Sequence, residues 1–324
     1  MLPWLAQFHV SFPGLGIHNV PISRIAFEFD VFGRHVIVYW YGLIFAVAMI
    51  LCIVLAMTQA KHHRLTSDDI LDFFLWMIPF ILVFARIYYV AFEWDQFRDH
   101  PRSIWDLRSG GLAFYGGVIG GIIALAIASR IKRIKLRRVL DFFAVYVPLG
   151  QGIGRWGNFF NQEAFGTNTT LPWGMISEGT RAGLARVQAN PDYAGAAIDP
   201  NLPVHPTFFY EFVANMLIFA LLLYLRKHSK RPYTCVLTYF LTYGIVRFFV
   251  EGIRTDALMF HAGGYVFRVS QVISVVMIAA AIIGFVIQHV RAKTREAVLA
   301  SMAGIPDDVI EIVEADLDDT PADA

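Results

Sequence analysis

The chain has 324 residues, of which 56% are apolar and only 16% charged; Phe alone occurs 28 times, and the formal net charge is +1. Soluble domains run at roughly 45 to 50% apolar and 25% charged, so this composition excludes an ordinary soluble enzyme and points to a polytopic membrane protein. The small net charge gives no reason to expect nucleic acid as a partner, and two cysteines in apolar runs, Cys52 and Cys235, exclude a disulfide framework or a Cys-rich metal site.

Residues 1–35 carry no basic residue before Arg24 and no unbroken apolar core, so a cleavable signal peptide is not expected. Trp4, Phe8, Phe12 and Ile17 suggest an external, interfacial arm instead. Seven mainly apolar stretches follow, near 36–58, 70–93, 110–129, 137–157, 206–225, 234–254 and 268–290. Each has about the 20 residues needed to cross roughly 30 Å of hydrocarbon at 1.5 Å per residue. The fourth is the awkward one, because it holds Asp141 and Pro148 and ends in a polar cluster.

Orientation follows from the basic residues of the connections, which are retained on the cytoplasmic side. Fifteen Lys and Arg lie in one set of loops, from Lys61 and Arg64 through 130–138 and 226–231 to 291–295, and nine lie in the alternate set. The expected fold class is therefore an all-α polytopic membrane protein with seven transmembrane helices, the N-terminus outside and the C-terminus inside. Residues 1–35 form the arm, 36–290 the seven-helix domain with a long external loop at 159–205, and 291–324 an acidic cytoplasmic tail that ends disordered.

That topology assigns a depth to each polar residue inside a span. Tyr41, Arg86, Tyr115, Arg155, Glu211, Arg247 and Glu251 all fall in the outer half, on six of the seven helices, whereas Asp141 lies near a cytoplasmic helix end and is read as a cap or a snorkelling group. A charge at bilayer depth costs about 2.5 to 3.5 kcal/mol even on gentle insertion scales, so such groups line a cavity or pair with one another. Private structural salt bridges are the plain alternative. The densest stretch is Gly154-Arg155-Trp156-Gly157-Asn158-Phe159-Phe160-Asn161-Gln162-Glu163-Ala164-Phe165-Gly166, which closes the fourth span. In the sixth span Tyr243, Arg247 and Glu251 stand in one row at i, i+4, i+8, with Arg254 on the adjacent turn. Two arginines at one level suggest an anionic ligand, because a guanidinium fork matches phosphate oxygens and stays charged when desolvated. In a membrane the abundant phosphate is a lipid head group; balance against Glu163 and Glu211 is the competing reading.

Several other features carry less. Gly152-Ile-Gly154-Arg155-Trp156-Gly157 matches the dinucleotide fingerprint only literally, since it lacks the preceding strand and the later acidic residue. Gly110, Gly111, Gly116, Gly117, Gly120 and Gly121 are spaced for close helix packing. His62 and His63 beside Lys61 and Arg64 read as a basic cap rather than as metal ligands. Within the long loop, Trp173, Met175, Ile176 and Leu184 argue for an ordered, lid-like segment.

Gly154-Arg155-x-Gly157-Asn158-Phe159-x-Asn161-x-Glu163-x-x-Gly166 resembles the signature of the bacterial prolipoprotein diacylglyceryl transferases. Further segments match in order: Trp40-Tyr41-Gly42, Gly110 to Gly117, His205-Pro206-Thr207 with Tyr210-Glu211, and Tyr243-Gly244-x-x-Arg247-x-x-x-Glu251-x-x-Arg254. The resemblance covers about 36–290. It implies transfer of the diacylglyceryl group of phosphatidylglycerol to the lipobox cysteine thiol of preprolipoprotein signal peptides, at the outer face of the bacterial inner membrane, with release of glycerol 1-phosphate. No metal or soluble cofactor is implied. It makes Arg155, Arg247, Tyr115 and Glu251 the catalytic group, and Arg155, Tyr41, Gly116, Asn158, Asn161, Glu163, Gly166, Glu211 and Tyr243 the substrate-binding group.

This chain departs from the family at two places: Tyr115 stands where many members carry a histidine proposed as the base, and Phe208 replaces a residue that is often polar. A phenol of pKa near 10 is a poor base at neutral pH, so Tyr115 is expected to act as a hydrogen-bond partner while the thiol proton goes to the phosphate or to Glu251. A transporter or flippase of an anionic lipid or solute is the alternative from another class. It lacks support from internal repeats or from paired broken spans.

Overall fold

The computed structural model describes residues 8–106, 110–189, 198–229 and 231–301. The N-terminal arm contributes strands β1 (Phe8–Phe12), β2 (Ile17–Ile22), β3 (Ile25–Val31) and β4 (Arg34–Tyr39). Helices α1 (Trp40–Gln59), α2 (Ser67–Phe92), α3 (Trp94–Phe97), α4 (Phe114–Ile131), α5 (Leu136–Ala144) and α6 (Tyr146–Asn161) follow. Then come β5 (Ile176–Ser177), α7 (Glu178–Gln188), α8 (Thr207–His228), α9 (Thr234–Ile253), β6 (Met259–Ala262), β7 (Tyr265–Arg268) and α10 (Val269–Ser301).

Among the described residues, six helices are long and apolar enough to cross a bilayer: 40–63, 67–92, 114–131, 207–228, 234–253 and 269–296. They match six of the seven expected spans. The fourth, expected as one helix near 137–157, is two abutting helices, α5 and α6. Pro148 gives the physical reason. It sits in the first turn of α6, where its missing N–H costs nothing, but its ring would clash with the carbonyl four residues earlier, at Ala144, the last residue of α5.

Pairs α2/α4, α9/α10, α6/α8, α1/α6 and α8/α9 pack side by side. The glycines of α4 set the closest of these approaches. A Cβ on Gly116 would lie 2.3 Å from the Phe84 carbonyl oxygen, and one on Gly120 would lie 2.4 Å from that of Phe80. One apolar core joins Ile70, Phe73, Leu125, Val139, Phe142 and Leu149, and a second joins Ile218, Leu222, Cys235 and Tyr239. Phe45, Leu75, Leu217 and Phe249 stand exposed on the helices, as lipid-facing residues do.

The chain is mostly helical but not wholly so. The arm, expected only as interfacial, is built of strands, consistent with the alternation in Phe27-Glu28-Phe29-Asp30 against Val36-Ile37-Val38. β3 and β4 pair through a tight turn in which Phe32 and Gly33 both take positive φ. β1 lies between β2 and β5, with Val10 opposite Ser177, so the arm is tied to the loop after α6. That loop has its own core: Val10, Ile22, Phe165, Met175, Leu184, Val204 and Phe208 are buried together. Ser177 and Thr180 form a reciprocal cap at the start of α7. Trp4 and the tail beyond Ser301 lie outside the described residues, and the start of the tail, 291–301, continues α10 as helix.

Candidate functional site

The site is assembled at one end of the bundle, where α6 and α9 finish and α8 and α10 begin. After α6 the chain cannot continue as helix: Gln162 takes the left-handed conformation and the strand-like run 164–169 is stitched to both neighbours. Gly166 N–H donates to the His205 carbonyl at 2.9 Å and Thr167 N–H to that of Ile253 at 2.8 Å. Thr207 Oγ1 donates to the Ala164 carbonyl, and Thr255 Oγ1 donates to that of Phe165 at 3.0 Å. Gly166 is required here, since a Cβ would lie 2.8 Å from His205 Cβ and 3.1 Å from the Ile253 oxygen. These bonds bring the ends of three helices to one level.

At that level Glu211, 1% exposed, takes two guanidiniums from two other helices. Its Oε2 is 2.7 Å from Arg155 Nε, and its Oε1 accepts from Arg247 Nη1 at 2.9 Å. Arg247 Nη2 is 2.6 Å from Glu251 Oε2, one helical turn on in α9. The same Nη2 donates to Ser270 Oγ of α10 at 3.2 Å, and that hydroxyl is 3.4 Å from the Tyr115 hydroxyl. Two arginines and two carboxylates thus form a balanced cluster, which holds each charge in place where a lone one would be expensive. Tyr243 stacks on Tyr239 with ring centroids 5.4 Å apart, and its hydroxyl meets Arg155.

From Arg155 a polar chain leads outward. Arg155 Nη1 reaches Asn158 Oδ1 at 3.5 Å; Asn158 and Asn161 both donate to Glu163 Oε1, at 3.0 and 3.1 Å. Glu163 and Asn161 line a cleft of about 690 Å3, walled also by Arg24, Ile37, Val38, Tyr39, Tyr41 and Gly42. Tyr41 presses its ring on Gly157, where a Cβ would stand 2.5 Å from the ring. At the start of α8, Trp173 Nε1 donates to the Tyr210 hydroxyl at 2.7 Å, and that hydroxyl is 3.1 Å from His205 Nδ1. Burial holds the His205 imidazole below its ordinary pKa of 6.5.

Of the residues singled out from sequence, Arg155, Glu211, Arg247, Glu251, Tyr243 and Tyr115 meet in the cluster, and Tyr41, Asn158, Asn161 and Glu163 lie along the chain to the cleft. Glu163 balances neither arginine directly; it is held by the two asparagines. Gly116 instead faces Phe84 and Tyr88 of α2, and so sets the helix spacing next to Tyr115. Arg86, expected in the same cavity from its depth, is elsewhere. It is 6% exposed and donates to five carbonyls, of Ser103, Ile104, Asp106, Gly110 and Gly111, at 2.6 to 3.2 Å. Asp141 caps the start of α9, its Oδ1 accepting from Val236 N–H at 3.1 Å.

Three contributors were passed over in the sequence. Arg24 donates to the Asn161 carbonyl at 2.9 Å, Arg268 donates to the Glu251 and Arg254 carbonyls, and Ser270 joins Tyr115 to Arg247. The arginines counted only as loop charges, but the depth rule applied to hydroxyls as well would have found Ser270 at the outer start of the last span.

Comparison with known proteins adds an independent line. The family model described as prolipoprotein diacylglyceryl transferase matches residues 28–287. The chain is 40% identical over 263 residues to a phosphatidylglycerol–prolipoprotein diacylglyceryl transferase of Finegoldia magna, covering 81% of this chain and 94% of that one. It is 39% identical over 269 residues to the protein of that name from Clostridioides difficile, covering 83% and 95%. For that of Oceanobacillus iheyensis the values are 41% over 266 residues, 81% and 87%.

Proposed function

Because the chain belongs to the prolipoprotein diacylglyceryl transferase family, we propose that it moves the diacylglyceryl group of phosphatidylglycerol onto the lipobox cysteine of preprolipoproteins, the first step of lipoprotein maturation. The cysteine sulfur attacks the glyceryl carbon that bears the phosphate. A C–S thioether bond forms, the C–O bond to phosphate breaks, and glycerol 1-phosphate leaves. The thiol proton goes to the departing phosphate, since Glu251 is buried and tied to Arg247 at 2.6 Å.

The observation that carries this reading is the pair of arginines fixed by one buried carboxylate. Glu211 engages Arg155 through Nε and Arg247 through one Nη, so both forks are oriented before substrate arrives. Negative charge grows on the phosphate as the C–O bond breaks, and preorganised donors of this kind lower such a barrier by about 2.7 to 4 kcal/mol each. Asn158, Asn161, Glu163 and Tyr41 lie along the way from the cleft and orient the glycerol head group. Tyr243 and Glu251 order Arg155 and Arg247. Tyr115 steadies Ser270 and serves as a hydrogen-bond partner, not as the base. The ordered segment around Trp173 and α7 acts as a lid.

The placement in the cell follows the positive-inside asymmetry. The site faces the outer leaflet of the bacterial inner membrane, with the N-terminus outside and the C-terminus inside. α6, whose 16 residues rise about 24 Å as helix, supplies the core of a seventh crossing, with α5 leading into it. Residues 36–290 are the catalytic domain.

The test is a mass measurement on a lipobox peptide incubated with phosphatidylglycerol and the purified protein. A gain of one diacylglyceryl group on cysteine is expected, reduced at least about 100-fold in Arg247→Ala. No gain with folded protein discards the transferase.

A further inference from the structure

A second pocket lies at the opposite end of the bundle, four turns along α8 from Glu211, roughly 22 Å away. It has a volume of about 230 Å3 and is formed where α5, the end of α8 and the start of α9 meet. Four arginines line it, Arg137, Arg138, Arg226 and Arg231, against a single carboxylate, Asp141. That carboxylate is already committed to the backbone at the start of α9.

Arg226 is the informative member. It donates to the Tyr146 hydroxyl at 3.1 Å and to Gln59 Oε1, and it lies over the rings of Phe142 and Tyr146 at 5.4 and 5.3 Å. All of these partners are neutral, so the guanidinium is held rigidly but its charge is not cancelled. Retention of basic residues on one side of a membrane needs only solvated loops; here the basic groups instead surround a defined hollow.

We propose that this pocket holds the phosphate head group of an anionic phospholipid, distinct from the donor lipid at Arg155 and Arg247. Basic pockets between the cytoplasmic ends of transmembrane helices suit such head groups. A volume of about 230 Å3 is below the roughly 300 Å3 at which sites for larger ligands begin. The lipid, rather than a free anion, is indicated by the surface beneath it. Leu225 lines the pocket, and Leu221 and Leu217, both exposed, continue its row at i, i+4, i+8 along α8, a track for an acyl chain. Tyr224 and Tyr233 stand exposed beside it, as aromatic rings do at a membrane interface.

The experiment follows thermal unfolding of the full chain in nonionic detergent with phosphatidic acid, phosphatidylcholine or inorganic phosphate as probe. Phosphatidic acid is expected to raise the midpoint, phosphatidylcholine not to. The shift should fall by at least half in Arg138→Gln/Arg231→Gln, persist in Arg138→Lys/Arg231→Lys and in Arg247→Ala, and shrink with added salt. Equal shifts in the Gln variant and the parent overturn the proposal, as does loss confined to Arg247→Ala. An equal, pocket-dependent shift with inorganic phosphate alone overturns the lipid as occupant. Transfer to a lipobox peptide, assayed separately, should survive in the Gln variant, so failure here and failure of the transferase reading are told apart.

Discussion

Glu211 joins three helices at the site, because one buried carboxylate of α8 fixes two guanidiniums from α6 and α9. Replacing it by Gln leaves both arginines without their shared counter-charge. Glu211→Gln is expected to lose about 3 to 5 kcal/mol of stability and most of the transfer activity, read by thermal unfolding and the peptide mass assay; a stable variant would show that the arginines are held by other contacts. Tyr115 makes the opposite case. Among the described residues its polar partner is Ser270, at a long 3.4 Å, so Tyr115→Phe should keep turnover within a few-fold, and a large loss in a folded variant would return the base role to the phenol. Arg86 shows what sequence depth could not supply. Its level along the helix was readable, but its direction around the helix was not, and it turns to the carbonyls of Ser103, Ile104, Asp106, Gly110 and Gly111 instead of the cavity. The i, i+4, i+8 row of Tyr243, Arg247 and Glu251 was legible because it lies within one helix.

Among the elements, two glycines govern distances that larger residues would open. Gly116→Ala must push α4 from α2, since the added carbon would lie 2.3 Å from a backbone oxygen; overpacking of this kind costs about 1 to 3 kcal/mol, visible as a lower unfolding midpoint. Gly166→Ala should act differently, parting the loop from His205 and Ile253 and lowering kcat more than stability. Equal effects of the two on kcat would contradict that division. Apolar length predicted six of the helices. The break between α5 and α6 turns on one proline whose consequence is local, while Arg137, Arg138 and Asp141 make α5 too polar for apolar length alone to mark it.

For the whole molecule, the cap formed by the N-terminal arm and the loop after α6 is the least legible part. The pairing of β1 with β5 joins residues more than 160 positions apart, and nothing local in either strand announces the other. The tie continues at His9, whose N–H donates to Glu178 Oε2 at 2.7 Å. Partial burial alone would raise the Glu178 carboxyl, but that bond, with others, holds it below its ordinary value of 4.5. The carboxylate's contribution is therefore complete above about pH 4.5 and is lost as pH falls through the lowered value. Amide exchange in β1 should quicken over that window relative to α1, and Glu178→Gln should remove the pH dependence; a flat profile in the parent would sever the link.

That long-range pairing also bears on how the protein is made. β1 emerges from the ribosome early, whereas β5 is synthesised only after α1 through α6, so during most of insertion the arm has β2 on one edge and an open ladder on the other. An open strand edge invites pairing with another chain. A nascent protein stalled before residue 176 would thus carry α1 through α6 with the arm still unclasped, while α8, α9 and α10 remain to be made, so the arm closes partway through assembly of the bundle rather than at its start or its end.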